Sequence, residues 1–151
     1  MTQDIYMTIK ELTRSMLPLD RLFDDVALFH RTFRPNLTIP AKPKTLDYHE
    51  LNTIADWIDS EVRELRDAET LIDQADAFLD TIYFALWGLV RLGTRPGKLW
   101  VILQEANMRK LWPDGKARLR EGDDKIMKPP GWIGPEAAMQ AEIELQQSIE
   151  G

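Results

Sequence analysis

Apolar residues recur along the chain in three- and four-residue steps. Leu19, Leu22, Phe23, Val26, Phe29 and Phe33 make one such stripe, the period of an amphipathic helix. That helix must stop before Pro35, because proline offers no amide hydrogen and clashes with the preceding turn. A connection holding Pro35, Pro40 and Pro43 follows, too proline-rich for a helix or a central strand. A second stripe, Leu51, Ile54, Ile58, Leu65 and Ala68, predicts a helix from about Asp47 to Ala68. A third runs from about Thr70 to Leu92, with Gly93 as its stop signal. A fourth covers Lys98 to Leu111 and ends before Pro113.

Trp112–Gly134 reads as loop, punctuated by Pro113-Asp114-Gly115, Gly122 and Pro129-Pro130-Gly131. Within it, Lys116 to Arg120 alternates polar and apolar, so Gly115–Lys128 could form a small hairpin, the only strand candidate. A last helix opens at Pro135. Its face Ala138, Ala141, Leu145 and Ile149 is only mildly apolar and is expected to pack weakly or against another subunit. The class is all-α, a helical bundle, and the 151 residues suit a single domain.

Composition narrows the chemistry. There are no cysteines, which excludes disulfides, thiolate zinc sites, iron–sulfur clusters and a cysteine nucleophile. The two histidines, His30 and His49, cannot build a three-histidine metal centre in one subunit. Any metal would be hard and oxygen-bound, and 25 Asp and Glu residues are present to hold it. No stretch approaches the roughly 20 apolar residues of a membrane span. The opening MTQDIYMTIKELTRS lacks the basic-then-apolar order of a secretory signal. The expectation is a soluble, cytoplasmic protein. A net charge of −6 argues against a stable nucleic-acid complex but leaves room for a local basic patch.

That charge is unevenly spread. Asp47 to Asp80 holds eleven acids and two bases, whereas Arg109 to Lys128 holds seven bases and four acids. An acidic centre and a basic tail would suit a metal and a polyanion bound together. A solvated acidic helix face followed by a solvated loop gives the same pattern.

Two helices place acids where a bundle has core. Glu61 and Glu64 lie three apart, and Glu61 falls in line with Ile54, Ile58 and Leu65. Asp76 and Asp80 lie four apart on a line that continues to Tyr83 and Trp87. A carboxylate aimed at a core costs several kcal/mol unless it is paired or bound to metal. Four carboxylates on neighbouring helices could hold one or two Mg²⁺ or Mn²⁺ ions. Acids at the edge of a stripe could equally turn to water.

The order of these blocks carries a family resemblance. Ser60-Glu61-Val62-Arg63-Glu64-Leu65, then Asp76-Ala77-Phe78-Leu79-Asp80-Thr81-Ile82-Tyr83, resemble the Glu-Glu-x-x-Glu and Glu-x-x-Asp blocks of the all-α nucleotide pyrophosphohydrolases, the MazG-like and phosphoribosyl-ATP pyrophosphohydrolase-like superfamily. Asp25 to His30 and Pro43 match the segment before the first block. Glu105 to Leu111, Asp114-Gly115-Lys116 and Lys125 to Trp132 resemble the Asn-Met-x-Lys-Leu segment, Asp-Gly-Lys loop and final basic loop of one subgroup. Together these motifs span about residues 19–135. Ser60 and Ala77 depart from the pattern, each standing where the family has Glu. Asp76 precedes Ala77, but a helix turns about 100° per residue, so its carboxylate points elsewhere.

The resemblance implies an enzyme that splits a nucleoside triphosphate into the monophosphate and pyrophosphate with Mg²⁺ or Mn²⁺. It implies Glu61, Glu64, Asp80 and Asp76 as metal ligands, with Glu61 or Asp76 as general base. Asn107, Arg109, Lys110, Lys125 and Lys128 would hold the phosphates, although Arg109 and Lys110 also suit a helix C-terminus. His30 and Trp132 are candidates for the base, although a lone histidine beside an apolar stripe is more often structural. Of the aromatics, Trp132 is expected to be the most exposed. The implied partners are the nucleotide and further copies of the chain, as a dimer or pair of dimers. Likeness to phage-type members points to a purine deoxynucleotide such as dGTP, and to the host cytoplasm. Phosphoribosyl-ATP and dUTP hydrolysis are the alternatives within the class. A non-catalytic acidic helical interaction protein is the alternative outside it.

Overall fold

The computed structural model describes residues 17–149. The N-terminal stretch read for a secretory signal lies outside them. Five helices follow in order: α1 (Pro18–Phe33), α2 (Tyr48–Asp67), α3 (Leu71–Leu92), α4 (Gly97–Met108) and α5 (Glu136–Ser148). Among the described residues none is long and apolar enough to cross a membrane. The fold is all-α, as the periodicity predicts.

Local chemistry sets the boundaries of α2 and α3. Asp47 caps α2 by accepting from the Glu50 amide at 2.8 Å, which satisfies a donor the helix leaves open. Thr70 and Asp73 form a reciprocal capping box at the start of α3. Gly93 ends α3 in the left-handed conformation, φ 65°, and its amide reaches back to Leu89 and Val90. The proline-rich connection packs so closely here that a Cβ on Gly93 would sit 2.8 Å from the Pro40 carbonyl oxygen.

Helix α3 is the central element, with α1 and α2 both packing on it. The core is Phe23, Val26 and Ala27 from α1, Ile54 from α2, and Leu86, Trp87 and Val90 from α3. Ile39 and Leu46 of the proline-rich connection close it from the side. Helix α4 docks on α1 through polar contacts. Asp20 accepts from the Gly97 amide at 2.9 Å, and Arg95 forks onto Asp24 at 3.0 and 3.1 Å.

The expected hairpin shrinks to one antiparallel bridge, Leu119 with Ile126. Gly122 and Asp124 adopt positive φ between them, so the chain reverses in a tight turn with no length left to pair. The last helix shows a different inward face from the one expected. Met139, Glu142, Ile143 and Gln146 turn inward, and Ala138, Ala141, Leu145 and Ile149 are exposed. Polar anchors decide this rotation. The Gln146 side chain donates to the Arg95 carbonyl and accepts from the Arg95 amide, both at 3.0 Å. Gln147 donates to the Pro43 carbonyl at 3.0 Å.

His30 sits in the core, fully buried, with its ring centroid 3.6 Å from that of Trp87. Neither ring nitrogen has a hydrogen-bond partner in the described protein. Burial, then the positive charges of Arg91 and Arg34, push its pKa down to about 4, against a smaller opposing pull from Glu50. His30 is therefore neutral at pH 7.

Two outcomes are expected. Gly93→Ala should cost about 1–3 kcal/mol through a strained left-handed residue, seen as a lower Tm. For His30 the folded-state pKa lies below the free value, so the unfolded chain protonates first. Stability is full above about pH 6.5 and falls as pH drops toward 4. Urea titrations across that window should show wild type losing up to about 3 kcal/mol that His30→Gln does not lose.

Candidate active site

Helix α2 turns Glu50, Thr53, Ile54, Trp57, Ile58 and Glu61 toward the bundle. Glu61 continues the apolar line and is 6% exposed, and its Oε2 has no hydrogen-bond partner in the described protein. Burial first, then the charges of Glu64, Asp80 and Asp76, raise its pKa. These four acids thus share one electrostatic neighbourhood across α2 and α3.

They do not form a closed set. Glu64, Asp76 and Asp80 are exposed. Among the described residues no three His, Asp or Glu side chains converge to metal-ligating spacing. Like charges repel, and Glu64, Asp76 and Asp80 relieve that repulsion by turning to water. Ala77, at the departure from the family pattern, is 3% exposed and holds the inward position on the first half of α3. Asp80, one turn on, lies close to that side, whereas Asp76 points about 100° away. An all-oxygen donor set with one buried, orphaned carboxylate oxygen fits a hard divalent cation.

The basic loop is built at the far end of α4. Trp132 donates its indole N–H to the Ala106 carbonyl at 2.8 Å and is half-buried. The most exposed tryptophan is instead Trp100, on the outer side of α4. Lys110 and Lys128 lie over the Trp132 ring, 5.6 and 4.4 Å from its centroid. Lys110 also donates to Asn107 Oδ1 at 2.7 Å. Arg109, Trp112 and Trp132 line a cavity of about 470 Å³ with the Pro129-Pro130-Gly131 turn. Asn107, Arg109, Lys110 and Lys128 are thereby gathered around Trp132. Lys125 stands apart beside the Asp123 turn, where its amide donates to Asp123 Oδ1 at 3.2 Å. Among the described residues no hydrogen bond or ion pair joins this loop to the carboxylates of α2 and α3.

A second cavity, about 540 Å³, opens between α2 and α3 beside Arg34. Trp57 and Trp87 meet edge to face on its wall at 5.4 Å, with the Arg34 guanidinium 5.6 and 5.0 Å from their centroids. Glu50 and Arg91 pair on its lining, and Arg91 also donates to the Thr38 carbonyl at 2.6 Å. His30 lies behind Trp87. Neither described cavity is lined by both His30 and Trp132, the two base candidates. The sequence pattern does not single out Arg34, Glu50 or Arg91. Arg91 left a trace nonetheless: it falls one turn after Trp87 on the buried side of α3, a charge inside an apolar stripe like Glu61.

Comparison with known proteins agrees with the all-α fold. Among curated proteins, none matches the chain. A crystal structure from Exiguobacterium sp. 255-15, provisionally assigned as an NTP pyrophosphohydrolase, is similar at 28% identity and a TM-score of 0.50. The alignment covers 87% of this chain and 97% of that one. The phosphoribosyl-ATP pyrophosphohydrolase profile matches residues 26–107, from the core of α1 through the carboxylate helices to Asn107. The chain therefore belongs to the phosphoribosyl-ATP pyrophosphohydrolase family.

Proposed function

We propose that the protein hydrolyses a nucleoside triphosphate to the monophosphate and pyrophosphate, with Mg²⁺ or Mn²⁺ held by Glu61, Glu64 and Asp80 and with Asp76 as the remaining candidate. The observation that carries this is Glu61: buried, with one carboxylate oxygen unpartnered and three further acids near it, in a chain of this family. A divalent cation there would neutralise the polyphosphate and polarise the phosphorus under attack. The chain's own part is to hold the substrate and move one proton. Water adds to phosphorus as the anhydride P–O bond breaks, and either Glu61, doubling as ligand and base, or Asp76 takes the water's proton.

The wall of Trp57, Trp87 and Arg34 suits the base, because the guanidinium lies over both indoles and offers its own planar face to a ring. His30 supports that wall from behind Trp87. Asn107, Arg109, Lys110, Lys125 and Lys128 suit the phosphates, because ammonium and guanidinium groups stay charged and donate to phosphate oxygens. The preference for a purine deoxynucleotide such as dGTP rests on the likeness to phage-type relatives.

A homo-oligomer completes this reading. Leu51 and Ile82 are exposed, and Ile54, Ile58, Ala85 and Leu89 line an apolar hollow of about 460 Å³ between α2 and α3. A second copy would cover that surface and could bring its basic loop to the first copy's carboxylates.

Pyrophosphate release from a panel of eight ribo- and deoxyribonucleoside triphosphates tests the activity. Release should stop in EDTA and return with Mg²⁺ or Mn²⁺; turnover that persists in chelator contradicts the metal role. Glu61→Gln, Glu64→Gln and Asp80→Asn should each lose most activity and keep the fold. Glu61→Gln should also raise the Tm of the metal-free protein, because it removes a buried, repelled charge. Near-normal turnover of Asp80→Asn would break the assignment of the second block. Lys128→Ala and Lys125→Ala should raise KM more than Arg118→Ala, whose guanidinium is already engaged by Asp114 at 3.1 Å. Sedimentation should show a homo-oligomer.

A further inference from the structure

Four Asp, Glu and Arg side chains line the cavity of about 540 Å³, and three of them are engaged by the protein. Glu50 and Arg91 pair on its floor, where Arg91 also donates to the Thr38 carbonyl. Asp47 is the cap of α2 and accepts from the Glu50 amide. Arg34 is the exception. Its guanidinium lies over Trp57 and Trp87, and among the described residues it makes no hydrogen bond and no ion pair.

The backbone of Arg34, by contrast, is held on both sides. Its amide donates to the His30 carbonyl at 2.8 Å, and its carbonyl accepts from the Leu37 amide at 2.9 Å. A set backbone thus presents an exposed side chain whose N–H donors are free of protein acceptors. Cation–π contacts at exposed sites are weak beside charge-assisted hydrogen bonds to phosphate. An anion within reach would therefore draw the edge of this guanidinium away from the indoles.

Position says which anion. Trp57 lies four residues before Glu61 on the same side of α2, about 6 Å along the axis. Glu50 lies seven residues before Trp57, roughly 10 Å further from Glu61. Arg34, over Trp57, stands between the cavity floor and the carboxylates of α2 and α3. The two acids of the cavity lie toward its far end, and Arg91 offsets one of them.

On the reading that the protein cleaves a nucleoside triphosphate at Glu61 with the base against this wall, we propose that Arg34 binds the α-phosphate, the phosphoryl group that hydrolysis leaves on the nucleoside. A guanidinium is planar, with its donors in the plane. Its face serves the base, and its edge donates to the α-phosphate of the same nucleotide. The β- and γ-phosphates depart together as pyrophosphate and do not depend on this contact. Arg34 thus holds substrate and product monophosphate alike. A contact of that kind sets KM and leaves kcat nearly unchanged when it is removed.

Calorimetry with Mg²⁺ tests this with two probes, the nucleoside and the 5′-monophosphate of whichever triphosphate the chain cleaves fastest. Wild type should bind the monophosphate about tenfold or more tighter than the nucleoside. Arg34→Gln keeps a planar end for the ring but no charge. It should weaken monophosphate binding about tenfold and change nucleoside binding less than about threefold. In turnover it should raise KM about tenfold, with kcat within about threefold. Its Tm is measured in parallel; if it does not fold, Arg34→Met, uncharged and of similar reach, is read in the same way. Monophosphate binding within about twofold of wild type, with hydrolysis still abolished by Glu61→Gln, overturns the α-phosphate role and leaves the hydrolase reading standing. Equal losses for nucleoside and monophosphate overturn it as well and assign Arg34 to the base alone. A chain that cleaves none of the eight triphosphates overturns the hydrolase reading and this inference with it.

Discussion

The packing of aromatic rings between the first three helices sets everything else. Phe29 and His30 of α1 meet Trp87 of α3, which meets Trp57 of α2. Four large planar groups in contact fix the spacing of three helices at once. Interiors pack like organic crystals, so those rings leave little freedom of rotation about any helix axis. With α2 locked by Trp57, Glu61 must point inward one turn later. With α3 locked by Trp87, Arg91 must point inward one turn later. The two charged groups buried on this pair of helices are thus consequences of where two indoles sit.

Burying those charges costs stability, and the protein treats them differently. Arg91 is satisfied by Glu50 and by a loop carbonyl. Glu61 keeps one oxygen without a partner. A folded chain rarely leaves a buried polar atom unmatched, and natural proteins depart from consistency mostly where they function. On the proposed function, the contrast separates a group that holds the fold from one that would take a metal ion. It also agrees with the family to which the chain belongs.

The helices were legible because their periods, caps and breakers are local. Asp47, Thr70 and Gly93 mark the ends of α2 and α3 through contacts within a few residues. The inward direction of Glu61 was legible for the same reason, since it shares a stripe with Ile54 and Ile58. The rotation of α5 was not, because Gln146 and Gln147 bind backbone groups about 50 and 100 residues away. Apolar content alone favoured the other face. The cavity floor was hidden too. Glu50 and Arg91 are 41 residues apart, and only the packing of α2 on α3 makes them neighbours. Trp132 reads as exposed in a proline-rich loop, and one hydrogen bond to Ala106 draws it in.

The loop between α4 and α5 is a strap fastened at both ends. At one end Trp132 and the Ala106 carbonyl pin it to α4. At the other, the twin bonds of Gln146 to Arg95 hold α5 against the start of the same helix. The entropy lost in closing so long a span is therefore already spent when the bundle folds. On the proposed function, a polyphosphate at Lys110 and Lys128 would have chiefly side chains to order, which would leave more of each ionic contact available as affinity.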